Sequence, residues 1–252
     1  MTAAQDNAWP YPRWIAHRGA GQLAPENTLA AFRLGASHGY RMFECDVKLS
    51  ADGVPFLLHD ATLDRTTNGQ GLAADLTWDA LSRLDAGSWH SPAYAGEPLA
   101  SLETVAHFCL ANALSLNIEI KPTPGSEFLT GSVVANAAAQ LWAAAPQGTL
   151  PLLSSFQADA LEAARVAQAH LPRALLLDAL RTGWLETALR LGCVAVIGKH
   201  TQWDAVSVQQ AQSAGLKVLS YTVNEAPAAD RLWALGTDGI ITDRVDLFSP
   251  SS

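Results

Sequence analysis

The feature that most constrains the fold is a regular alternation of short β-rich runs with longer helical segments. Eight runs of strand character can be recognised, at residues 14–17, 42–47, 116–121, 150–155, 173–178, 193–198, 217–223 and 239–242. Seven helical segments are expected between them, at residues 28–38, 102–113, 127–145, 158–170, 182–191, 203–214 and 226–235. Alternating strands and helices form parallel sheets. Eight such units in 252 residues predict an α/β fold, a closed TIM (β/α)8 barrel, with an open doubly wound sheet as the alternative.

One segment interrupts the alternation directly after the second run. Asp52 and Gly53 lie only a few residues beyond that run, and residues 54–59 again have strand character. So short a connection is too short for a parallel crossover but suits a hairpin. We therefore predict an antiparallel strand that brings His59 back beside Cys45.

The stretch from residue 60 to about residue 98 shows no clear strand or helix period. It is rich in Gly, Asp, Thr and aromatic residues. A segment of this length is too long for a simple barrel loop and is expected to carry structure of its own. We predict a single TIM-barrel domain over residues 1–252, with a small insertion at about residues 60–98.

Three acidic residues lie on predicted strands in positions that favour a metal site. In a barrel of this type the functional site lies at the carboxyl ends of the strands. Period-two alternation puts Glu44 and Asp46 on one face of the second run, and Glu119 lies on a strand that could face them across the barrel. Converging carboxylates are costly to bury without a cation, and they suit one divalent ion, Mg²⁺ or Ca²⁺. The alternative is that they form ion pairs with Lys48, Lys121 or Arg18 at a solvated barrel end.

Two histidines at strand ends suggest acid–base chemistry beside these carboxylates. His17 ends the first run, and His59 ends the antiparallel strand. Each alone is more typical of a structural histidine, but a pair can supply the base and the acid that phosphoryl transfer from an alkoxide needs. Arg18 offers a planar fork for phosphate oxygens, and Lys121 offers a point charge.

Composition excludes some other classes of function. The formal net charge of −8 argues against a nucleic-acid surface, and no apolar stretch reaches the roughly 18 residues of a membrane span. Residues 1–12 lack the pattern of a secretory signal peptide. The three cysteines Cys45, Cys109 and Cys193 are expected to be buried free thiols of a reducing compartment, so a cytoplasmic location is expected. The oligomeric state is left open.

Seven short segments with polar or charged residues occur in order along the chain. They are His17-Arg18-Gly19, Pro25-Glu26-Asn27-Thr28, Glu44-Cys45-Asp46-Val47, His59-Asp60, Glu119-Ile120-Lys121, Tyr221-Thr222-Val223-Asn224 and Asp238-Gly239-Ile240-Ile241-Thr242-Asp243. In this order and spacing they resemble the signature segments of the glycerophosphodiester phosphodiesterase family, and the resemblance spans about residues 14–247. The stretch after Asp60 also resembles the small insertion that this family carries in its barrel.

The resemblance implies a metal-dependent phosphodiesterase on a TIM barrel. Such enzymes hydrolyse small glycerophosphodiesters, among them glycerophosphocholine and glycerophosphoethanolamine, to sn-glycerol 3-phosphate and an alcohol. The family mechanism uses attack by the glycerol 2-hydroxyl, activated by the metal, through a cyclic phosphate that water then opens. Carried over by position, the metal ligands are Glu44, Asp46 and Glu119, the acid–base pair is His17 and His59, and Arg18 and Lys121 bind the phosphate.

Tyr221 departs from the family pattern, which more often has Trp at this position. It keeps an aromatic wall for the substrate and adds a hydroxyl group that is available for polar contact. The headgroup preference is therefore left open by the sequence.

Two further functions are kept as alternatives. A lysophospholipase D or sphingomyelinase D-like activity on the same barrel would need an apolar groove for an acyl chain, and Trp78, Trp89, Tyr94 and Phe108 are its candidate lining residues. A catalytically silent metal-binding barrel is the other, although every position of the proposed site carries a chemically competent residue.

Overall fold

A computed structural model describes residues 9–143 and 149–250, and its nine strands form one sheet. The strands are β1 (Trp14–Ala16), β2 (Met42–Leu49), β3 (Pro55–Leu57), β4 (Ser115–Ile120), β5 (Leu152–Ser155), β6 (Arg173–Leu177), β7 (Ala195–Lys199), β8 (Lys217–Tyr221) and β9 (Gly239–Thr242). Their order is β1-β9-β8-β7-β6-β5-β4-β2-β3, and β1 also pairs with β2. That last pairing closes eight parallel strands into a barrel. The predicted TIM barrel is confirmed, and the open sheet is excluded.

The helices lie between the parallel strands as expected. They are α1 (Leu29–Ser37), α2 (Trp78–Leu81), α3 (Leu102–Ala111), α4 (Glu127–Trp142), α5 (Ala158–Ala167), α6 (Trp184–Arg190), α7 (Ala205–Ser213) and α8 (Ala226–Ala234). All seven predicted helices are present, each shorter than its sequence pattern. The last two residues of the predicted helix 127–145 lie outside the described residues, as does most of the segment 1–12. None of the helices within the described ranges is both long and apolar enough to cross a bilayer.

The core has two layers because each strand alternates its side chains between the barrel interior and the helices. On β2, Phe43, Cys45 and Val47 belong to the outer layer that packs under the helices. Met42 belongs to the inner layer at the other end of the barrel. Cys45, Cys109 and Cys193 are buried and unbridged, as predicted.

The predicted hairpin is confirmed by the pairing of β2 with β3. The two strands are antiparallel, with Val47 opposite Leu57 and Lys48 opposite Phe56. Just past β3, the backbone N–H of Leu58 donates to the carbonyl of Asp46 over 3.1 Å. One further step of this register puts His59 level with Cys45, and so next to the acids that flank Cys45.

The segment between β3 and α3 is an insertion with a small core of its own. It contains α2 and two short 3-10 turns, Ala73–Asp75 and Pro92–Tyr94. Its buried apolar residues Leu58, Leu63, Ala73, Leu81, Ala86 and Leu99 cluster with Phe56 of β3. The insertion also contacts the barrel, since the Glu97 carboxylate accepts a hydrogen bond of 2.9 Å from the backbone N–H of Ala30.

Candidate active site

A pocket of about 200 Å³ opens at the carboxyl ends of the parallel strands. Seven of the eight predicted site residues line this pocket, and the eighth, Asp46, is buried beside them. A larger open groove of about 710 Å³ lies between α6 and α7 on the outside of the barrel, away from the carboxylates. The pocket is lined by His17, Arg18, Glu44, His59, Asn117, Glu119, Lys121, Phe156, Leu176, Tyr221, Thr222 and Ile241.

The three predicted metal ligands converge. One carboxylate oxygen from each of Glu44, Asp46 and Glu119 lies within 4.8 Å of the other two. Strand geometry explains the convergence, because Glu44 and Asp46 face inward from alternate positions of β2. The pairing of β2 with β4 then puts Asp46 level with Glu119.

The crowding of these acids shifts their pKa values apart. Burial, reinforced by the charge of Asp46, raises the pKa of Glu44 and also that of Glu119. Burial opposes ionisation of Asp46 too, but the neighbouring Arg18 and Lys121 outweigh it and hold the pKa of Asp46 below its usual range. Asp46 is thus the member of the cluster that ionises most readily.

Ion pairing accounts for only part of the cluster. Arg18 Nε lies 3.2 Å from Asp46 Oδ2, and Lys121 Nζ lies 3.1 Å from Glu119 Oε1. Glu44 Oε2 accepts a hydrogen bond from the backbone N–H of Arg18, but its Oε1 is buried with no partner. The pairing considered for Lys48 is wrong, because its ammonium group points to the Lys121 carbonyl, 3.4 Å away.

These observations fit a divalent cation. The donor set is all oxygen, as Mg²⁺ and Ca²⁺ prefer. The unpartnered oxygen of Glu44 is a buried acceptor that a cation satisfies, whereas leaving it bare is costly. The cluster of Glu44, Asp46 and Glu119 is therefore a candidate metal centre.

His17 is held by an acid from the far end of the chain. Its Nδ1 lies 2.6 Å from Asp243 Oδ1, and its Nε2 lies 3.7 Å from Glu44 Oε2. Asn224 holds the other oxygen of Asp243 over 2.9 Å. Burial lowers the pKa of His17, but the hydrogen bond to Asp243 and the charge of Glu44 outweigh it and raise the pKa overall.

His59 is held in the same way by its chain neighbour. Its Nδ1 lies 2.7 Å from Asp60 Oδ1. Burial lowers the pKa of His59, and the charges of Arg18 and Lys121 add to that effect despite Asp46 and Asp60. Because an ionised carboxylate only accepts hydrogen bonds, each aspartate fixes the proton on Nδ1 and leaves Nε2 of the neutral imidazole as an acceptor.

Arg18 lies in a loop whose backbone adopts a conformation that is rare for residues other than glycine. Arg18 and Asn27 have positive φ angles of 50° and 60°. For a residue other than glycine, this left-handed backbone conformation costs about 1–3 kcal/mol of folding free energy, which the surrounding contacts offset. The strain aims the Arg18 backbone N–H at Glu44, and Asn27 Nδ2 at Asp46 Oδ2 over 2.8 Å. Gly19, with φ of 100°, has no room for a Cβ, since that atom would lie 2.7 Å from the Cβ of Ala31.

One wall of the pocket is aromatic. The rings of Phe156 and Tyr221 meet edge to face with centroids 5.8 Å apart. The Tyr221 hydroxyl donates to the carbonyl of Leu177 over 3.1 Å. The hydroxyl proton is therefore used in a hydrogen bond to the barrel backbone, and the aromatic ring is the part of Tyr221 that faces the pocket.

The four aromatic residues considered for an acyl-chain groove do not form one at this pocket. None of Trp78, Trp89, Tyr94 and Phe108 lines the pocket. Trp78 packs against Phe56 in the insertion core, with ring centroids 6.1 Å apart. Phe108 packs against the outer layer of the barrel core.

The sequence did not assign a role to several residues that hold the site. Asp243, Asp60 and Glu26 belong to segments that resemble the family, but the sequence did not indicate which side chains they contact. Asn117 and Phe156 line the pocket, whereas Arg65 contacts Asp60 outside its lining. Asp243 and Asn117 could have been recognised from the sequence, because both are polar residues at or near the carboxyl ends of strands.

The crowded carboxylates make the stability of the metal-free protein depend on pH. A carboxyl whose pKa rises on folding, as for Glu44 from 4.5 to about 8, binds more protons in the folded than in the unfolded chain. With excess chelator, we expect the free energy of unfolding to fall by roughly 2 kcal/mol or more as the pH rises from about 4.5 to about 8. Denaturant titrations at several pH values measure this, and a flat or rising profile would contradict it.

Comparison with known proteins agrees with this site. The profile of the glycerophosphoryl diester phosphodiesterase family matches residues 17–247. YhdW of Bacillus subtilis is 35% identical over 92% of this chain and 94% of its own length. A glycerophosphodiester phosphodiesterase of Caldanaerobacter subterraneus is 31% identical over 91% of this chain and 93% of its own.

Solved structures agree as well. A phosphodiesterase of Oleispira antarctica, in complex with the product sn-glycerol 3-phosphate, superposes with a TM-score of 0.86 at 34% identity. The match covers 92% of this chain and 93% of that one. With the barrel, the acidic cluster and the two histidines in place, the chain belongs to the glycerophosphoryl diester phosphodiesterase family.

Proposed function

We propose that this protein hydrolyses small glycerophosphodiesters, such as glycerophosphocholine and glycerophosphoethanolamine, to sn-glycerol 3-phosphate and an alcohol. The observation that carries the proposal is the meeting, in one pocket, of three carboxylates with two histidines that are each held by an aspartate. The similar phosphodiesterase of Oleispira antarctica binds sn-glycerol 3-phosphate as its product. A pocket of about 200 Å³ suits a small diester.

Glu44, Asp46 and Glu119 are proposed to hold one divalent cation, Mg²⁺ or Ca²⁺. When bound, such an ion lowers the pKa of a hydroxyl group and balances the negative charge that builds up on the phosphate. Asn27 and the Arg18 backbone hold two of the carboxylates in place. That support matters because the groups behind metal ligands set their orientation.

His17 and His59 are proposed as the acid–base pair. One imidazole takes the proton of the glycerol 2-hydroxyl as its oxygen attacks phosphorus, and the other protonates the departing alcohol oxygen. A cyclic phosphate forms, and attack by water opens it with the two roles exchanged. Asp243 and Asp60 contribute by keeping each Nε2 free to receive or donate that proton.

Arg18 and Lys121 are proposed to bind the phosphate oxygens, and Tyr221 to form a wall for the substrate. Both cations line the pocket beside the acidic cluster. They lie 3.2 and 3.5 Å from the Asp46 carboxylate, and so they offset part of the negative charge that a phosphate would meet in this site. The barrel and the insertion are proposed to act as one domain, and the free thiols favour a reducing compartment such as the cytoplasm.

Release of sn-glycerol 3-phosphate from the two diesters tests the proposal. A coupled dehydrogenase follows the product with added Mg²⁺ or Ca²⁺, and then with excess chelator. We expect release that the chelator abolishes and that re-addition of metal restores. No release from either diester, together with turnover of a lysolipid, would instead support the lysophospholipase D alternative. No turnover of any diester would support the alternative of a catalytically silent barrel.

A further inference from the structure

One arginine of the insertion clamps two acids that lie behind the pocket. Arg65 Nε lies 2.6 Å from Asp60 Oδ2, and its Nη2 lies 3.1 Å from Asp60 Oδ1. Its Nη1 lies 2.7 Å from Glu26 Oε2, and its Nη2 lies 2.8 Å from Glu26 Oε1. Every nitrogen of the guanidinium group thus contacts a carboxylate, and both carboxylates are held through two oxygens.

Each of the two acids in turn holds a residue of the proposed catalytic machinery. Asp60 accepts from His59 Nδ1 over 2.7 Å. Glu26 accepts from Arg18 Nη1 over 2.8 Å. A continuous series of contacts therefore runs from His59 through Asp60, Arg65 and Glu26 to Arg18.

The geometry separates this arrangement from two ordinary roles of an arginine. Arg65 is not placed to bind substrate phosphate, because its nitrogens already face two carboxylates and it does not line the pocket. Nor is it an ordinary surface ion pair: one side of the Arg65 side chain is open to solvent, but the Glu26 carboxylate that it binds is only 13% exposed. Two-point contacts of a planar fork fix orientation as well as charge, which a point charge cannot do.

We propose that Arg65 is a positioning residue that sets both the acid–base histidine His59 and the phosphate-binding Arg18, and that this is how the insertion supports catalysis. The inference rests on the proposed function of those two residues. Without Arg65, Asp60 and Glu26 face each other with no shared cation, and like charges repel. His59 and Arg18 then lose the fixed partners that hold their geometry.

Kinetics of Arg65→Ala and Arg65→Lys with glycerophosphocholine test the inference. A misplacement of about 1 Å costs up to about 100-fold in rate, so we expect kcat/KM to fall about 10- to 100-fold in both variants. Methylguanidinium should restore part of the activity of Arg65→Ala, because the Arg65 side chain is 44% exposed and its site is open to solvent. Arg83→Ala is the matched control, since Arg83 forms an exposed ion pair with Asp79 in the same insertion.

A double-mutant cycle with Asp60→Asn separates positioning from a general loss of structure. If Arg65 acts through Asp60, the double variant should lose much less activity than the product of the two single losses. The rise in melting temperature on adding metal should remain, because Arg65 contacts no metal ligand. The inference would be overturned if the losses of kcat/KM multiplied in the double variant or if Arg65→Ala kept full activity. It would also be overturned if methylguanidinium failed to restore activity and the metal-dependent rise in melting temperature became smaller.

A crystal structure of Arg65→Ala decides the positioning independently of turnover. A displaced His59 ring or Arg18 fork supports the inference, and both side chains in place would refute it. An inactive parent protein would instead count against the proposed function, while this structural comparison would still decide the role of Arg65.

Discussion

Alanine at His17 or at His59 is expected to lower kcat for release of sn-glycerol 3-phosphate by about 100- to 10,000-fold. Both imidazoles line the pocket, and each has its Nδ1 engaged by an aspartate, so each presents Nε2 for proton transfer. Because the attack and the departure of the alcohol each need a proton transfer, losing either imidazole removes one essential partner. Steady-state kinetics with glycerophosphocholine and with glycerophosphoethanolamine measure the effect.

The metal response tells acid–base residues from metal ligands. His17→Ala and His59→Ala should keep the rise in melting temperature that Mg²⁺ or Ca²⁺ produces, because neither ring is proposed to bind the ion. His107→Ala is a suitable control, since His107 is exposed on α3. If a histidine variant lost both activity and the metal response, that histidine would have to be counted among the ligands or their supports.

Glutamine at Glu44 is expected to lower activity about 1,000-fold or more and to remove the metal-dependent rise in melting temperature. Charge neutralisation by a metal contributes several kcal/mol to a phosphoryl-transfer transition state, and each 1.36 kcal/mol corresponds to tenfold in rate. The amide keeps the shape of the carboxylate but removes its charge from the cluster. Activity assays and thermal unfolding with and without metal measure both effects.

The same substitution should act in the opposite direction on the metal-free protein. The buried Glu44 carboxylate lies beside Asp46 and Glu119, and its ionisation opposes folding at neutral pH. With chelator at pH 8, Glu44→Gln is therefore expected to unfold at a higher temperature than the parent, and the difference should shrink towards pH 4.5. Glu103→Gln, at an exposed position of α3, is the control. A variant that is active with metal, or less stable than the parent without it, would contradict our assignment.

The barrel and the positions of its acids could be predicted from the sequence because both follow from local periodicity. Runs of strand character separated by helices leave few ways to close a parallel sheet. Alternation along β2 puts Glu44 and Asp46 on the inner face whatever the details of packing. The short turn at Asp52 and Gly53 fixed the register that returns His59 to the cluster.

The partners of these residues were decided by tertiary structure alone. Asp243 contacts His17 across 226 positions of the chain because closure of the barrel joins β1 to β9. The residue pattern around either position gives no indication of this contact. Likewise, Lys48 points to a backbone carbonyl, and the Tyr221 hydroxyl is committed to Leu177. These outcomes depend on which atoms lie within about 3 Å once the core is packed.

The insertion shows the same division most clearly. Its length and lack of period marked it as a separate piece of structure, but its aromatic residues gave no indication of which surface they would cover. Folding packed Trp78 into the insertion core and brought Arg65 against Glu26, 39 positions earlier in the chain. Local sequence therefore determined the barrel and the strand faces that carry its chemistry. Long-range packing determined how those chemical groups are held, because hydrogen bonds and ion pairs depend on distances that only the closed barrel and the docked insertion establish.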